Sequence, residues 1–142
     1  MIVLDTNVIS ELMKSEPEPL VIAWLDTQRS AEIWTTSISV FEIHFGISVL
    51  PDGRRKRALA ESFGATLKRD LKGHILDFDT VAARQTGELS AIAHNLGRPV
   101  EIRDSQIAGI VSAHQATLAT RNTKHFADAG IVLVNPWDFE QV

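Results

Sequence analysis

Short apolar runs alternate with amphipathic segments along the whole chain. The apolar runs are rich in β-branched residues and predict buried strands over residues 1–4, 32–36, 74–78, 117–120 and 131–134. Apolar positions at helical spacing predict helices over residues 8–13, 20–28, 39–50, 54–71, 79–95, 104–114 and 123–127. This alternation predicts an α/β fold with a central, mainly parallel five-stranded sheet flanked by helices on both faces. No internal repeat or linker interrupts it, so we expect one domain over residues 1–142.

Composition narrows the class of protein only slightly. Of the 142 residues, 44 % are hydrophobic and 23 % are charged, which is ordinary for a globular protein. The absence of cysteine excludes disulfides and thiolate metal sites. No apolar stretch approaches the roughly 20 residues of a membrane span, and Asp5 and Glu11 interrupt any signal-peptide pattern. We therefore expect a cytoplasmic protein without membrane attachment.

Four polar side chains come at places where an open α/β sheet builds its sites, beyond the carboxyl ends of the strands. Asp5 follows the first predicted strand, and Asn122 follows the fourth. Glu42 lies in the first turn of the helix after the second strand, and Asp104 opens a later helix on its apolar, inward face. We expect these groups to meet at one end of the sheet.

Each of these residues also has a purely structural interpretation. Asp5 is a suitable helix N-cap, and Ser39 with Glu42 fits a capping box. Asp104 would be favoured by the dipole of its helix, and Asn122 is a common turn residue. Taken together, however, clustered carboxylates repel one another and need protons or a bound cation. A set of oxygen ligands favours Mg²⁺ or Mn²⁺, and a bound cation would also offset the formal net charge of −4, which by itself argues against nucleic-acid binding.

Five segments occur in a characteristic order along the chain, IVLDTNVISEL, ISVFEIHFGI, IRDSQIAGIVSAH, LATRNTKHF and VNPW. In order and spacing they resemble the PIN-domain ribonucleases, most closely the VapC toxins of bacterial toxin–antitoxin pairs, including their FitB-like branch. The resemblance implies a PIN fold with an acidic pocket and carries over three acids as catalytic and metal-binding residues, Asp5, Glu42 and Asp104. It places Asn122 at a position where the family often has Asp, and a neutral amide binds a second metal ion less strongly than a carboxylate would. It also places Thr6 and Thr120 at positions where small hydroxyl residues line the pocket.

The resemblance also implies an activity and partners. A bound Mg²⁺ or Mn²⁺ would activate water for in-line attack on an RNA phosphodiester, leaving a 5′-phosphate and a 3′-hydroxyl. Such an endoribonuclease toxin inhibits translation and growth until a cognate VapB-like antitoxin wraps it and inserts a basic side chain into the pocket. Toxins of this type usually form homodimers, and promoter DNA is bound only through the antitoxin complex.

Other residue types are weaker candidates. Basic side chains that suit RNA contact or simple surface solvation are Arg54, Arg55, Arg57, Arg121 and Lys124. The five histidines show no metal-ligand spacing, and the three tryptophans are expected in the core or in a dimer contact.

Two rival functions remain distinct from a ribonuclease. A phosphatase with Asp5 as nucleophile would have a second acid two residues later, where this chain has Asn7. A non-catalytic PIN-domain subunit of a protein–DNA regulatory complex is the alternative that the neutral Asn122 leaves open.

Overall fold

Five strands form one sheet in the computed structural model, which describes residues 1–140. The strands are β1 (Ile2–Leu4), β2 (Ile33–Thr36), β3 (Ile75–Leu76), β4 (Thr117–Ala119) and β5 (Val132–Val134). Their order across the sheet is β3-β2-β1-β4-β5, and each neighbouring pair is parallel. The predicted α/β fold is confirmed, and the sheet is parallel throughout rather than mainly so.

Six helices surround the sheet. They are α1 (Thr6–Leu12), α2 (Pro19–Asp26), α3 (Ser37–Ser48), α4 (Arg54–Arg69), α5 (Thr80–Asn95) and α6 (Ile102–Ala113). The segment predicted as a helix over residues 123–127 is a 3₁₀ turn, Thr123–Phe126, and similar turns at Ser30–Glu32 and Pro136–Asp138 have no counterpart in the predicted elements. Across residues 1–140, no helix has the length and apolar character needed to cross a bilayer.

The core has two halves, one on each face of the sheet. Val3 and Leu4 are both fully buried and point to opposite faces, as successive residues of a strand do. Leu4 packs with apolar residues of α1 to α4, whereas Val3 packs with apolar residues of α5 and α6. Burial on both faces is typical of a central strand in a parallel sheet, and it fixes the end of β1 rigidly.

The chain reverses direction across the sheet at β1. From β1 it runs through β2 to the β3 edge, and then returns to β4 on the other side of β1. The carboxyl ends of β1 and β4 are in register, with Leu4 opposite Ala119. A crevice outside such a reversal is where open α/β sheets bind ligands.

The capping box predicted at Ser39 and Glu42 is wrong. Helix α3 begins two residues earlier, because the Thr36 side chain accepts a hydrogen bond from the Ser39 N–H at 3.1 Å. Thr36 is therefore the N-cap. This leaves the Ser39 hydroxyl and the Glu42 carboxylate available for contacts with Thr6.

Helices α5 and α6 approach each other closely at Gly109 of α6. A Cβ atom added there would meet the Thr86 side chain and would lie 2.8 Å from the Ala82 carbonyl oxygen of α5. The missing side chain thus permits the close approach that seats α6, and α6 carries Asp104 in its first turn.

Candidate active site

The three predicted acids line one cavity at the carboxyl edge of the sheet. Its volume is about 460 Å³, and Asp5, Glu42 and Asp104 share its wall with Thr6 and Asn122. They come from the end of β1, the second turn of α3 and the first turn of α6. The structure thus brings together side chains that are far apart in the sequence.

Asp5 is the most buried of the three acids, with 4 % of its surface exposed. It caps α1, as predicted, by accepting a hydrogen bond from the Thr6 N–H at 2.8 Å. Its other oxygen accepts from the Thr120 hydroxyl at 2.7 Å. Burial raises the pKa of Asp5 above its usual range, with a further contribution from the charge of Asp104, and the two hydrogen bonds oppose the rise.

Glu42 is partly buried beside Thr6. The Thr6 hydroxyl donates to Glu42 Oε1 at 3.1 Å and lies 2.9 Å from the Ser39 hydroxyl. Desolvation raises the pKa of Glu42, and the charges of Asp5 and Asp104 add to the rise. The charges of the neighbouring carboxylates therefore contribute to the raised pKa of Glu42.

Asp104 is held from two directions at the start of α6. The Glu101 side chain caps the helix by accepting from the N–H groups of Arg103 and Asp104, at 2.9 and 3.2 Å. Asp104 Oδ2 lies 3.2 Å from His125 Nδ1. Sequence reasoning missed His125, since the imidazole comes 21 positions later in the chain and no ligand spacing marks it.

Thr120 and Asn7 connect the ends of β1 and β4. Thr120 is fully buried, and its hydroxyl accepts from the Asn122 N–H at 3.0 Å while it donates to Asp5. Asn7 Oδ1 accepts from the Arg121 N–H at 3.1 Å, and its amide lies 3.3 Å from the Thr120 hydroxyl. In the sequence, Asn7 served only as an argument against a phosphatase, because it stands where a second acid would be. In the structure, its side chain links the loops that follow β1 and β4.

The donor set suits a hard divalent cation but is not assembled around one point. No three His, Asp or Glu side chains within residues 1–140 lie close enough to hold a metal ion together. The Thr6 hydroxyl bonds Glu42, and His125 contacts Asp104. Three carboxylates that line one cavity still match the oxygen chemistry of Mg²⁺ or Mn²⁺.

The basic candidates lie in different places. Arg55 lines an adjacent, mainly apolar cavity of about 390 Å³ that shares Thr6 and Glu42 with the acidic pocket. Lys124 lines another cavity beside Asp104. Arg54 and Arg57 are exposed in the first turn of α4, and Arg57 borders a separate cavity between α3 and α4.

Two of the three tryptophans lie within the fold, and the third borders the site. Trp24 is buried in the core at 4 % exposure, and Trp34 stacks on His74 with ring centroids 4.4 Å apart. Trp137 packs partly against the core, but it also lines the acidic cavity. The Arg121 guanidinium lies over its ring, 5.0 Å from the centroid.

Comparison with known proteins identifies the family and supports the fold. The sequence model of the PIN domain matches residues 2–132. The chain is 39 % identical to the VapC ribonuclease Y4jK of Sinorhizobium fredii, over 97 % of this chain and 99 % of that protein. It is 34 % identical to the toxin FitB of Neisseria gonorrhoeae, over 96 % of this chain and 99 % of that protein. A solved structure of FitAB bound to an IR36 DNA fragment superposes with a TM-score of 0.88 at 34 % identity, and it covers 99 % of both chains.

Proposed function

The chain belongs to the PIN-domain family, and from that premise we propose that it is a metal-dependent endoribonuclease and the toxin of a toxin–antitoxin pair. The observation that carries the proposal is the single cavity lined by Asp5, Glu42 and Asp104. The VapC ribonuclease and FitB toxin relatives cover nearly its whole length and support a nuclease toxin. With RNA as the proposed substrate, we expect the protein to act in the cytoplasm.

Asp5, Glu42 and Asp104 would hold Mg²⁺ or Mn²⁺. A bound divalent ion supplies the Lewis acidity that promotes ionisation of water and offsets negative charge on the phosphate. Desolvation raises the pKa values of Asp5 and Glu42, and repulsion from neighbouring carboxylates adds to the rise. A bound cation would offset that repulsion.

The surrounding side chains position these acids. Thr120 holds one oxygen of Asp5, and the Thr6 hydroxyl holds Glu42. Asn122 borders the same cavity with a neutral amide, which we assign to hydrogen bonding with water or substrate rather than to charge neutralisation. Attack by water, rather than by the ribose 2′-hydroxyl, would leave a 5′-phosphate and a 3′-hydroxyl.

The test is RNA cleavage by the purified protein with Mg²⁺ or Mn²⁺. We expect the single variants Asp5→Asn, Glu42→Gln and Asp104→Asn each to lose at least about 100-fold in rate, since each removes a charge from the metal site. Glu88→Gln, an exposed carboxylate on α5, is the matched control and should cleave normally. Calorimetric titration with Mn²⁺ gives a second readout, in which the three site variants bind the ion more weakly.

The proposal fails if the wild-type protein leaves total RNA intact with both ions and neither ion binds it. It also fails if the site variants and Glu88→Gln cleave at the same rate.

We propose that the partner is a small VapB-like antitoxin that binds the apolar cavity beside the acidic pocket. That cavity is lined by Met13, Ile43, Ile47 and Leu59 and opens to Glu42, so a bound segment could reach the acids with a basic side chain. The FitAB complex bound to a DNA fragment supports DNA binding by such an assembly, and we propose that the assembly, rather than this chain alone, binds promoter DNA. A homodimer is part of the same proposal, and the exposed face of α3 described below supports it.

One observation favours a second candidate, a non-catalytic subunit of a protein–DNA regulatory complex. The metal donors are not assembled within residues 1–140, and Asn122 is neutral. Intact RNA together with antitoxin-dependent DNA binding would support this function in place of the ribonuclease.

A further inference from the structure

Arg121 differs from the other cation that lines the acidic cavity. The two basic side chains there are Lys14 and Arg121. Lys14 forms an ion pair of 3.0 Å with the buried carboxylate of Glu11. Arg121 has no carboxylate within 4.0 Å in residues 1–140, so its positive charge is not neutralised by a neighbour.

The Arg121 guanidinium is nevertheless held in place. It lies over the Trp137 ring at 5.0 Å from the centroid, and the backbone N–H of Arg121 donates to Asn7 Oδ1, which holds the main chain at this residue. Trp137 packs partly against the core, and its backbone N–H donates to Asn135 Oδ1 at 3.0 Å. The indole thus stacks against a planar cation that lines the acidic cavity.

A substrate anion needs such a cation at this place. Three carboxylates repel an RNA strand, and the chain as a whole carries a formal charge of −4. A guanidinium with a fixed plane binds a phosphate through two parallel N–H···O bonds. Resting on the proposed ribonuclease function, we propose that Arg121 binds an RNA phosphate next to the scissile one and that Trp137 positions it there.

RNA binding without cleavage tests the role of Arg121. The parent protein carries Asp5→Asn, and the probe is a fluorescein-labelled single-stranded RNA of about ten nucleotides, followed by anisotropy at several KCl concentrations. Adding Arg121→Gln should weaken binding by about tenfold. It should also reduce the slope of log K against log[KCl] by about 0.7, the value for one lost phosphate contact on a single strand.

Variants of Trp137 separate positioning from charge. Trp137→Leu keeps apolar volume but removes the ring face, so binding should weaken by about two- to fivefold with the salt slope unchanged. Because Trp137 also packs on the core, Arg121→Lys provides the same test at an exposed position. It keeps the charge without the planar stack, and it should likewise weaken binding at an unchanged slope.

The control is Arg84→Gln, which removes an exposed arginine from α5 and should leave affinity and slope near those of the parent. The proposal is overturned if Arg121→Gln behaves like Arg84→Gln, or if it tightens RNA binding. Failure of the ribonuclease proposal is distinguishable, because the wild-type protein would then leave RNA intact with metal while the Arg121 dependence of binding persisted.

Discussion

Asp5 shows at the scale of a single residue how a candidate site residue departs from what stability favours. Its carboxylate is almost completely buried, and burial with the nearby Asp104 charge raises its pKa. In the absence of metal, the ionised form is therefore less favourable in the folded state than in the unfolded chain. Active-site groups commonly lower stability in this way.

Asp5→Asn should consequently stabilise the metal-free protein. The folded-state pKa of Asp5 lies above 3.8, its ordinary value, so the folded state binds the proton more tightly. The contribution of the Asp5 carboxyl to the stability of the wild type therefore falls as pH rises through that pKa. The amide introduced by Asp5→Asn does not titrate, so the variant does not lose stability in this way. The melting temperature of the variant should exceed that of the wild type at pH 7, and the difference should close below pH 3.8.

Metal should reverse this order. At a Mg²⁺ concentration 100-fold above its Kd, the wild type gains about 2.7 kcal/mol by mass action, while Asp5→Asn gains less. Asp77→Asn, an exposed acid between β3 and α5, is the control. A variant less stable than the wild type at every pH in EDTA would contradict the argument.

Sequence reasoning at this scale pointed to the acids and, through the family resemblance, to Thr6 and Thr120, but not to His125 or to the contacts of Asn7. Asp5 was predictable because a buried strand that ends on a carboxylate is a local pattern in the sequence. The contacts of His125 with Asp104 and of Asn7 with the Arg121 N–H depend on how two loops meet in space. No periodicity in the sequence encodes that distance.

The type and order of the strands and helices could be predicted from the sequence, but the residues at which they begin and end could be predicted less well. All five strands occur where the apolar runs predicted them, but β3 is reduced to Ile75–Leu76 from the predicted residues 74–78. Helix α3 begins at Ser37 because Thr36 rather than Ser39 caps it, and α6 begins at Ile102 because Glu101 caps it. Several residues near each helix start have side chains able to cap, and tertiary contacts decide which one does.

Gly109 gives a prediction at the scale of packed elements. Gly109→Ala should destabilise the protein by about 1–3 kcal/mol, because the added Cβ would lie 2.8 Å from the Ala82 carbonyl oxygen and against Thr86. Since α6 carries Asp104, RNA cleavage should fall as well. Urea denaturation measures the loss of stability.

Gly87→Ala on α5 is the matched control for this substitution. Gly87 is exposed inside a helix, and a Cβ there meets nothing within 4 Å. Alanine should therefore stabilise the protein by about 0.5–1 kcal/mol. Equal effects of the two substitutions would mean that the α5–α6 contact does not constrain α6.

At the scale of the whole molecule, α3 presents an apolar face that residues 1–140 leave exposed. Phe41, Phe45 and Val49 follow one another at intervals of four residues on α3, and each is more than half exposed. Phe41 and Phe45 stack with ring centroids 6.2 Å apart. A contiguous exposed apolar surface of this kind marks a protein interface, and Glu42 on the same helix places that interface beside the site.

We propose that α3 forms the dimer contact, so the double variant Phe45→Glu/Val49→Glu should be monomeric, whereas we expect the wild type to be a dimer. Two carboxylates on each copy would be buried without partners in an isologous contact, which is unfavourable. Size-exclusion chromatography with light scattering measures the mass, which for one chain is 15.7 kDa. Val81→Glu, at an equally exposed apolar position on α5, should leave the dimer intact. A wild-type mass of one chain, or a double variant that retains the wild-type mass, would exclude α3 as the dimer contact.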